Sequence, residues 1–129
     1  MQLGRLDHVN IRTANLENMV AWYEDILGMT SGKRPPFPFP GAWLYAGEQA
    51  AVHLIGVEEP AAGEDPKLEH FAFSATGFAS FIQALEKTGV TYKLGRVPEF
   101  EILQVNVFDP DGNHIHVDFV GPETDGQIV

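Results

Sequence analysis

Leu6-Asp7-His8-Val9-Asn10-Ile11-Arg12-Thr13 is answered, 62 residues later, by Leu68-Glu69-His70-Phe71-Ala72-Phe73-Ser74-Ala75. Both stretches open on leucine, an acidic residue and histidine, and both have the alternation of a β-strand. One strand face carries His8, Asn10 and Arg12; the equivalent face carries His70, Ala72 and Ser74. The correspondence runs further along the chain. His8 is followed after 45 residues by His53, within Val52-His53-Leu54-Ile55, and His70 after 46 residues by His116, within Ile115-His116-Val117. Four of the five histidines thus fall into two repeat-related pairs. Imidazole is the commonest metal-ligating side chain, and duplication is the simplest way to assemble four of them. The chain reads as a duplicated unit built around a metal.

Each opening strand is followed by an amphipathic helix. Leu16, Met19, Val20 and Tyr23 have the i, i+3, i+4, i+7 spacing of a core-facing stripe, and Phe78, Phe81, Ile82 and Leu85 repeat it. Asn15 is placed to cap the first helix, and Gly28 and Gly89 stand where a left-handed residue ends one. Three more strands are predicted after each helix: 29–34, 42–46 and 51–56, then 91–96, 101–108 and 114–120. The Pro-rich segment 34–41 interrupts the first set. Asp109-Pro110-Asp111-Gly112-Asn113 has the composition of a tight turn within the second. With 57–67 as linker, the prediction is one α+β domain over 1–129. It holds two βαβββ units at about 4–57 and 67–120 and an acidic tail at 121–129.

Composition narrows the function classes. A hydrophobic content of 44% supports a real core, and no apolar run is long enough to span a membrane. The N-terminus enters its strand so early that no signal peptide is expected. A net charge of -10 disfavours nucleic acid, whose phosphates need a Lys/Arg surface. Much of the acidity, at Glu58, Glu59, Glu64, Asp65 and beyond Gly121, reads as a solvated loop and a frayed end. The absence of cysteine excludes disulfides and thiolate ligands, and it suits a cytoplasmic setting.

A histidine between two large apolar strand residues, as His53 and His116 are, is ordinarily a solvent-facing or hydrogen-bonded imidazole. Four at repeat-related positions favour His8, His53, His70 and His116 as metal ligands. An all-imidazole set suits Zn, Ni, Co or Fe(II). His114 shares strand parity with His116 but has no repeat partner, since Ala51 holds the equivalent place. It is read as a rim or supporting residue. Asp118, on the same face, is a candidate to orient a ligand or relay a proton. Phe37, Phe39, Trp43, Tyr45, Phe100 and Phe108 are candidate walls of a substrate pocket.

Leu6-Asp7-His8-Val9, the helix ending Trp22-Tyr23-Glu24-Asp25-Ile26-Leu27-Gly28-Met29, and the closing Phe108-Asp109-Pro110-Asp111-Gly112-Asn113-His114-Ile115 together resemble the vicinal oxygen chelate superfamily. That group contains glyoxalase I, extradiol dioxygenases, methylmalonyl-CoA epimerase, and fosfomycin and bleomycin resistance proteins. The resemblance covers about residues 4–120. It implies a cupped mixed sheet with helices outside, usually completed by a second subunit, and a divalent metal ligated from the first and last strands of the units. It also implies that Arg12 grips a substrate carboxylate. Glyoxalase I enzymes generally place glutamates on the last strands, where this chain has His53 and His116. Two neutral ligands in place of two anions leave the cation a stronger Lewis acid and remove a proton-carrying carboxylate. A histidine that leaves the metal, or a nearby Asp118, Glu99 or Glu101, is the candidate replacement.

The resemblance favours a metal-dependent glyoxalase-like lyase or isomerase acting on a small oxygen-chelating metabolite, as a homodimer. One alternative is an extradiol-type dioxygenase on a catechol, although those enzymes usually contain twice as many units and keep the glutamate. Another is a non-catalytic binding or resistance protein, a class that tends to lose the metal histidines this chain retains.

Overall fold

A computed structural model describes residues 1–2, 4–60, 63 and 66–127, so residues 61, 62, 64 and 65 of the predicted linker lie outside the described residues. The chain divides into two compact units, Met1–Glu64 and Asp65–Val129.

In the first unit, β1 (Val9–Thr13) leads to α1 (Leu16–Asp25), then β2 (Thr30–Gly32), β3 (Gly41–Ala46) and β4 (Gln49–Gly56). The sheet order is β1-β4-β3-β2, with β1 parallel to β4 and the other pairs antiparallel. The second unit repeats the arrangement with β5 (His70–Ser74), α2 (Phe78–Thr88), β6 (Lys93–Val97), β7 (Ile102–Phe108) and β8 (His114–Phe119), in the order β5-β8-β7-β6. Each unit is therefore βαβββ, and the α+β duplication expected from the repeat is present. The one-residue difference between the 45 and 46 spacings disappears in the register. Asn10 pairs with His53, and its repeat counterpart Ala72 pairs with His116.

One face of each sheet is apolar and buried. Val52 and Leu54 of β4, and Ile115, Val117 and Phe119 of β8, are almost fully inaccessible. The two helical stripes cover these faces. Met19 and Tyr23 of α1 and Phe78 and Leu85 of α2 are buried, and Phe78 and Phe81 set their rings against Phe119. The alternate residues His53, His114, His116 and Asp118 stay half-buried on the opposite face, because side chains along a strand point alternately to its two sides. Burial of the apolar set thus decides where the imidazoles point.

Several local expectations change. Asn15 occupies the N-cap of α1, but its side chain makes no capping bond and instead accepts a hydrogen bond from the Asn18 amide. Gly28, at φ +69, is left-handed as expected, and the Met29 N–H after it returns to the Tyr23 carbonyl of α1 at 3.0 Å, although the regular helix ends earlier, at Asp25. Gly89 does cap α2: its N–H and that of Val90 return to the carbonyls of Glu86 and Leu85, closing a Schellman motif. Strand β2 is shorter than predicted, since Pro35 and Pro36 lack the N–H that would extend its pairing. The acidic tail is no simple fray. Glu123 accepts the N–H groups of Gly77 and Phe78 at 2.9 and 3.0 Å, capping α2 where Gly77 has no side chain to do so. Arg96 holds the carbonyls of Thr124 and Gln127 at 2.9 and 3.3 Å.

Candidate functional site

In the first unit His8 lies just ahead of β1 and His53 in the middle of β4. Their rings stack 4.0 Å apart, and Trp43 stacks on the far side of His53, also at 4.0 Å. Each imidazole has one nitrogen committed. His8 Nδ1–H donates to Asp7 at 2.8 Å, and His53 Nε2–H donates to the Ala50 carbonyl at 3.0 Å. Such bonds fix the tautomer and leave the other nitrogen's lone pair for a ligand. Gln49 ties the approach to β1 onto β4 through the carbonyls of Leu6 and Asp7, which seats His8. A pocket of about 330 Å³ opens beside this stack, lined among others by Trp43, Tyr45, His8, His53 and Arg5. Arg12 is exposed further along β1 and does not line it.

In the second unit His70 stacks on His116 at 4.1 Å, the counterpart of the first pair. His114 joins them, its ring centroid 5.4 Å from His70 and 4.7 Å from His116, with Phe108 stacked behind it. The three residues offer ring nitrogens that all lie within 4.8 Å of one another. The register explains this grouping: β5 and β8 set His70 directly opposite His114. Glu69 accepts from His70 Nδ1, as Asp7 does from His8, so the acidic residue of the repeated tripeptide has the same job twice. The Gln104 amide contacts His116 Nδ1 at 3.1 Å.

Electrostatics keep the central rings neutral. Burial and then the neighbouring His8 lower the pKa of His53, and burial followed by His70 and His114 lowers that of His116. Asp7 and Glu69 are held as carboxylates below their ordinary range by hydrogen bonds from His8 and His70. Asp118 moves the other way. Burial raises its pKa, with His116 and Gln104 opposing, and its Oδ1 is buried without a hydrogen-bond partner among the described residues. Imidazoles that give one N–H to an oxygen, as His8, His53 and His70 do, keep an oriented lone pair, and with no thiolate they fit a borderline divalent ion such as Zn or Co better than Mg or Ca.

Of the predicted aromatic walls, Trp43 and Tyr45 line the pocket and Phe108 backs His114. Phe37 and Phe39 stack on each other under the Arg34 guanidinium, and Phe100 is exposed in the β6–β7 turn. Sequence reasoning missed Glu69, Gln49, Gln104 and Asn106 as supports for the imidazoles, and Arg5 in the pocket. Asp7 and Glu69 were visible in the repeat. The polar alternation Gln104, Asn106 within an otherwise apolar β7 was a second readable signal.

A duplicated βαβββ unit with histidines at the start of its first strands and within its last strands defines a class of small α+β proteins. The chain belongs to the glyoxalase/bleomycin resistance protein/dioxygenase superfamily, whose family model matches residues 5–117. It is 28% identical over 125 residues to glyoxylase I 4 of Arabidopsis thaliana, covering 91% of this chain and 71% of that one. A glyoxalase family protein of Bacillus anthracis shares its fold with a TM-score of 0.78 at 22% identity, covering 94% of this chain and 98% of the other. Lactoylglutathione lyase of Agrobacterium tumefaciens gives a TM-score of 0.70 at 19% identity, with 92% and 96% covered.

Proposed function

We propose that the chain is a metal-dependent glyoxalase-like enzyme that isomerises or lyses a small metabolite carrying two adjacent oxygens. His8, His53, His70 and His116 are its metal-holding residues. The observation that carries this reading is the pairing of imidazoles within each unit, each pair stacked, with His8, His53 and His70 each giving one N–H to an oxygen and keeping the other nitrogen's lone pair. The likeness to glyoxylase I 4 supports the lyase–isomerase side of the family over ring cleavage.

Divalent metal held by imidazoles of this set would supply Lewis acidity toward a substrate oxygen. The chain's own residues do the rest. Trp43 and Tyr45 offer apolar walls, and Arg5, set among the lining carboxylates Asp7 and Glu48, is the cation placed to meet a substrate carboxylate. Asp118 is the proton carrier that replaces the missing glutamates. Its unpartnered buried oxygen shares a strand face with His116, and burial raises its pKa above the ordinary carboxylate value, the direction a proton carrier needs. Glu99 and Glu101 are exposed in the β6–β7 turn and serve this role less well.

The test uses untagged protein loaded with Co²⁺. A bidentate hydroxamate shifts the visible spectrum, and Arg5→Ala weakens carboxylate-bearing hydroxamates about 5–10-fold more than neutral ones. A tetrahedral spectrum indifferent to every chelator would mark a closed structural site and end the enzymatic reading. Selective weakening by Arg12→Ala instead would return the carboxylate role to Arg12.

A further inference from the structure

The fifth histidine has no place in the repeat, yet the fold gives it the most constrained surroundings of all. His114 Nε2 lies 2.9 Å from Asn106 Oδ1. The Asn106 amide cannot be turned round without loss, because its Nδ2 donates to the Lys93 carbonyl at 3.1 Å. Oδ1 is therefore the atom facing His114, and His114 must carry its proton on Nε2. The other ring nitrogen, Nδ1, lies 3.3 Å from the Glu69 carboxylate. A neutral imidazole has one N–H, and here it is spent on Asn106. In that tautomer Nδ1 carries the lone pair a metal ion takes, with the Glu69 carboxylate beside it to add negative charge.

We infer that His70, His114 and His116 form a three-imidazole site for one divalent transition metal ion within the second unit, and that Asn106 fixes Nδ1 as the atom His114 presents. The inference rests on the reading of the chain as a metal protein and goes beyond it by assigning His114 as a ligand. Each of the three residues offers a ring nitrogen, and those atoms lie within 4.8 Å of one another. Metal–nitrogen distances of about 2.0–2.1 Å ask only that the rings close in modestly. Glu69 serves twice: it fixes the His70 tautomer through Nδ1 and adds negative charge beside His114. Phe108 stacks on His114 and excludes water from one side of it. Unit one has no equivalent, since Ala51 stands where His114 would be. The two halves of the duplication are thereby unequal: one carries two imidazoles beside a pocket, the other carries three.

Three ligands leave one position open on a tetrahedral ion, or three on an octahedral one. That is enough for two substrate oxygens in the second case.

The experiment is a Co²⁺ titration of the untagged full-length chain, read by visible absorption, with folding checked by circular dichroism. His114→Gln keeps a polar side chain of similar length. It should weaken Co²⁺ binding by more than the 10–100-fold that loss of a hydrogen-bonding support costs. Asn106→Ala should weaken it 10–100-fold, and Asn106→Asp, which still accepts from Nε2–H, should restore most of the loss. His8→Ala/His53→Ala should retain one Co²⁺ with its affinity little changed, and adding His114→Gln to that variant should weaken binding as much as it does in the unmutated chain. Unchanged Co²⁺ affinity in His114→Gln would overturn the inference while leaving the metal-protein reading intact, provided His70→Ala loses the ion. Failure of the unmutated chain to bind Co²⁺ would overturn both. As an independent readout, the ¹⁵N resonance of His114 Nδ1 should move on adding Zn²⁺ while Nε2 keeps its proton, and a shift confined to Nε2 would count against the assignment.

Discussion

Asp118 combines two properties that rarely coexist at a structural carboxylate: a buried, unpartnered oxygen and a pKa raised by burial against the pull of His116. A buried carboxylate is costly unless it is paired or protonated, so a site that retains one without a full set of partners spends stability on it. That expense suits a group that must take and return a proton. Asp118→Asn keeps the shape and removes the exchangeable proton. We expect it to lower turnover of a 2-hydroxy-ketone or 2-oxo-aldehyde substrate by about 10²–10⁴-fold. It should leave Co²⁺ content unchanged, because the imidazoles are untouched. Loss of metal together with activity would make Asp118 a support for the ligands instead, and unchanged turnover would move the proton to another group. The same residue shows where sequence reasoning runs out. Its parity with His116 could be counted from the sequence, but its unpaired oxygen depends on which side chains of β7 reach across to β8. Gln104 pairs opposite Asp118 in the ladder and directs its amide to His116 Nδ1. Strand order and register decide that, and alternation alone does not supply them.

At the scale of elements, the connection between β7 and β8 sets the position of His114. Asp109 is nearly inaccessible, and its carboxylate accepts the N–H groups of Asp111 and Asn113 and the Asn113 side-chain amide, at 3.0, 2.9 and 2.8 Å. Gly112, at φ +84, lets the chain reverse within this Asx-type turn. Residues 109–113 were legible as a turn from composition, and the helical stripes and strand alternation were legible from periodicity. The caps were not: Asn15 has the right chemistry at the right place and spends it on Asn18, whereas α2 is capped by Glu123 from 45 residues away. A cap supplied through tertiary contact leaves no local signal. Asp109→Ala should cost about 1–3 kcal/mol of stability, seen as a melting temperature lower by several degrees. It should also weaken Co²⁺ binding, since β8 begins at His114, one residue beyond the turn. Asp109→Asn, which keeps an acceptor oxygen, should lose less on both counts. A variant with full stability and weakened metal binding would separate the turn's two roles. Full retention of both would show that the ladder alone positions His114.

For the whole molecule, each four-stranded sheet has two outer strands, β1 and β2 in one unit and β5 and β6 in the other. Edge strands present unpaired backbone groups and invite pairing, and proteins cover, shorten or charge them. Here β2 is shortened to three residues, while β1 and β5 each keep five and carry the strand-opening histidines or their neighbours. Exposed large apolar side chains add to the pressure for a partner. Leu6 and Leu68, at equivalent repeat positions, are 76% and 66% exposed. The repeat therefore duplicates an apolar step beside each strand-opening histidine, and a two-fold association is the commonest way to cover such a surface. No helix among the described residues is long and apolar enough to cross a membrane, so a bilayer-spanning helix does not account for these leucines. We expect a homodimer in light scattering at micromolar concentration, with Leu6→Ser/Leu68→Ser shifting it toward monomer. Because each leucine lies two residues before a proposed ligand, dissociation should loosen metal binding, and chelation should in turn favour the monomer. A monomeric unmutated chain that still holds its metal would separate the site from assembly and leave the exposed leucines to a different partner.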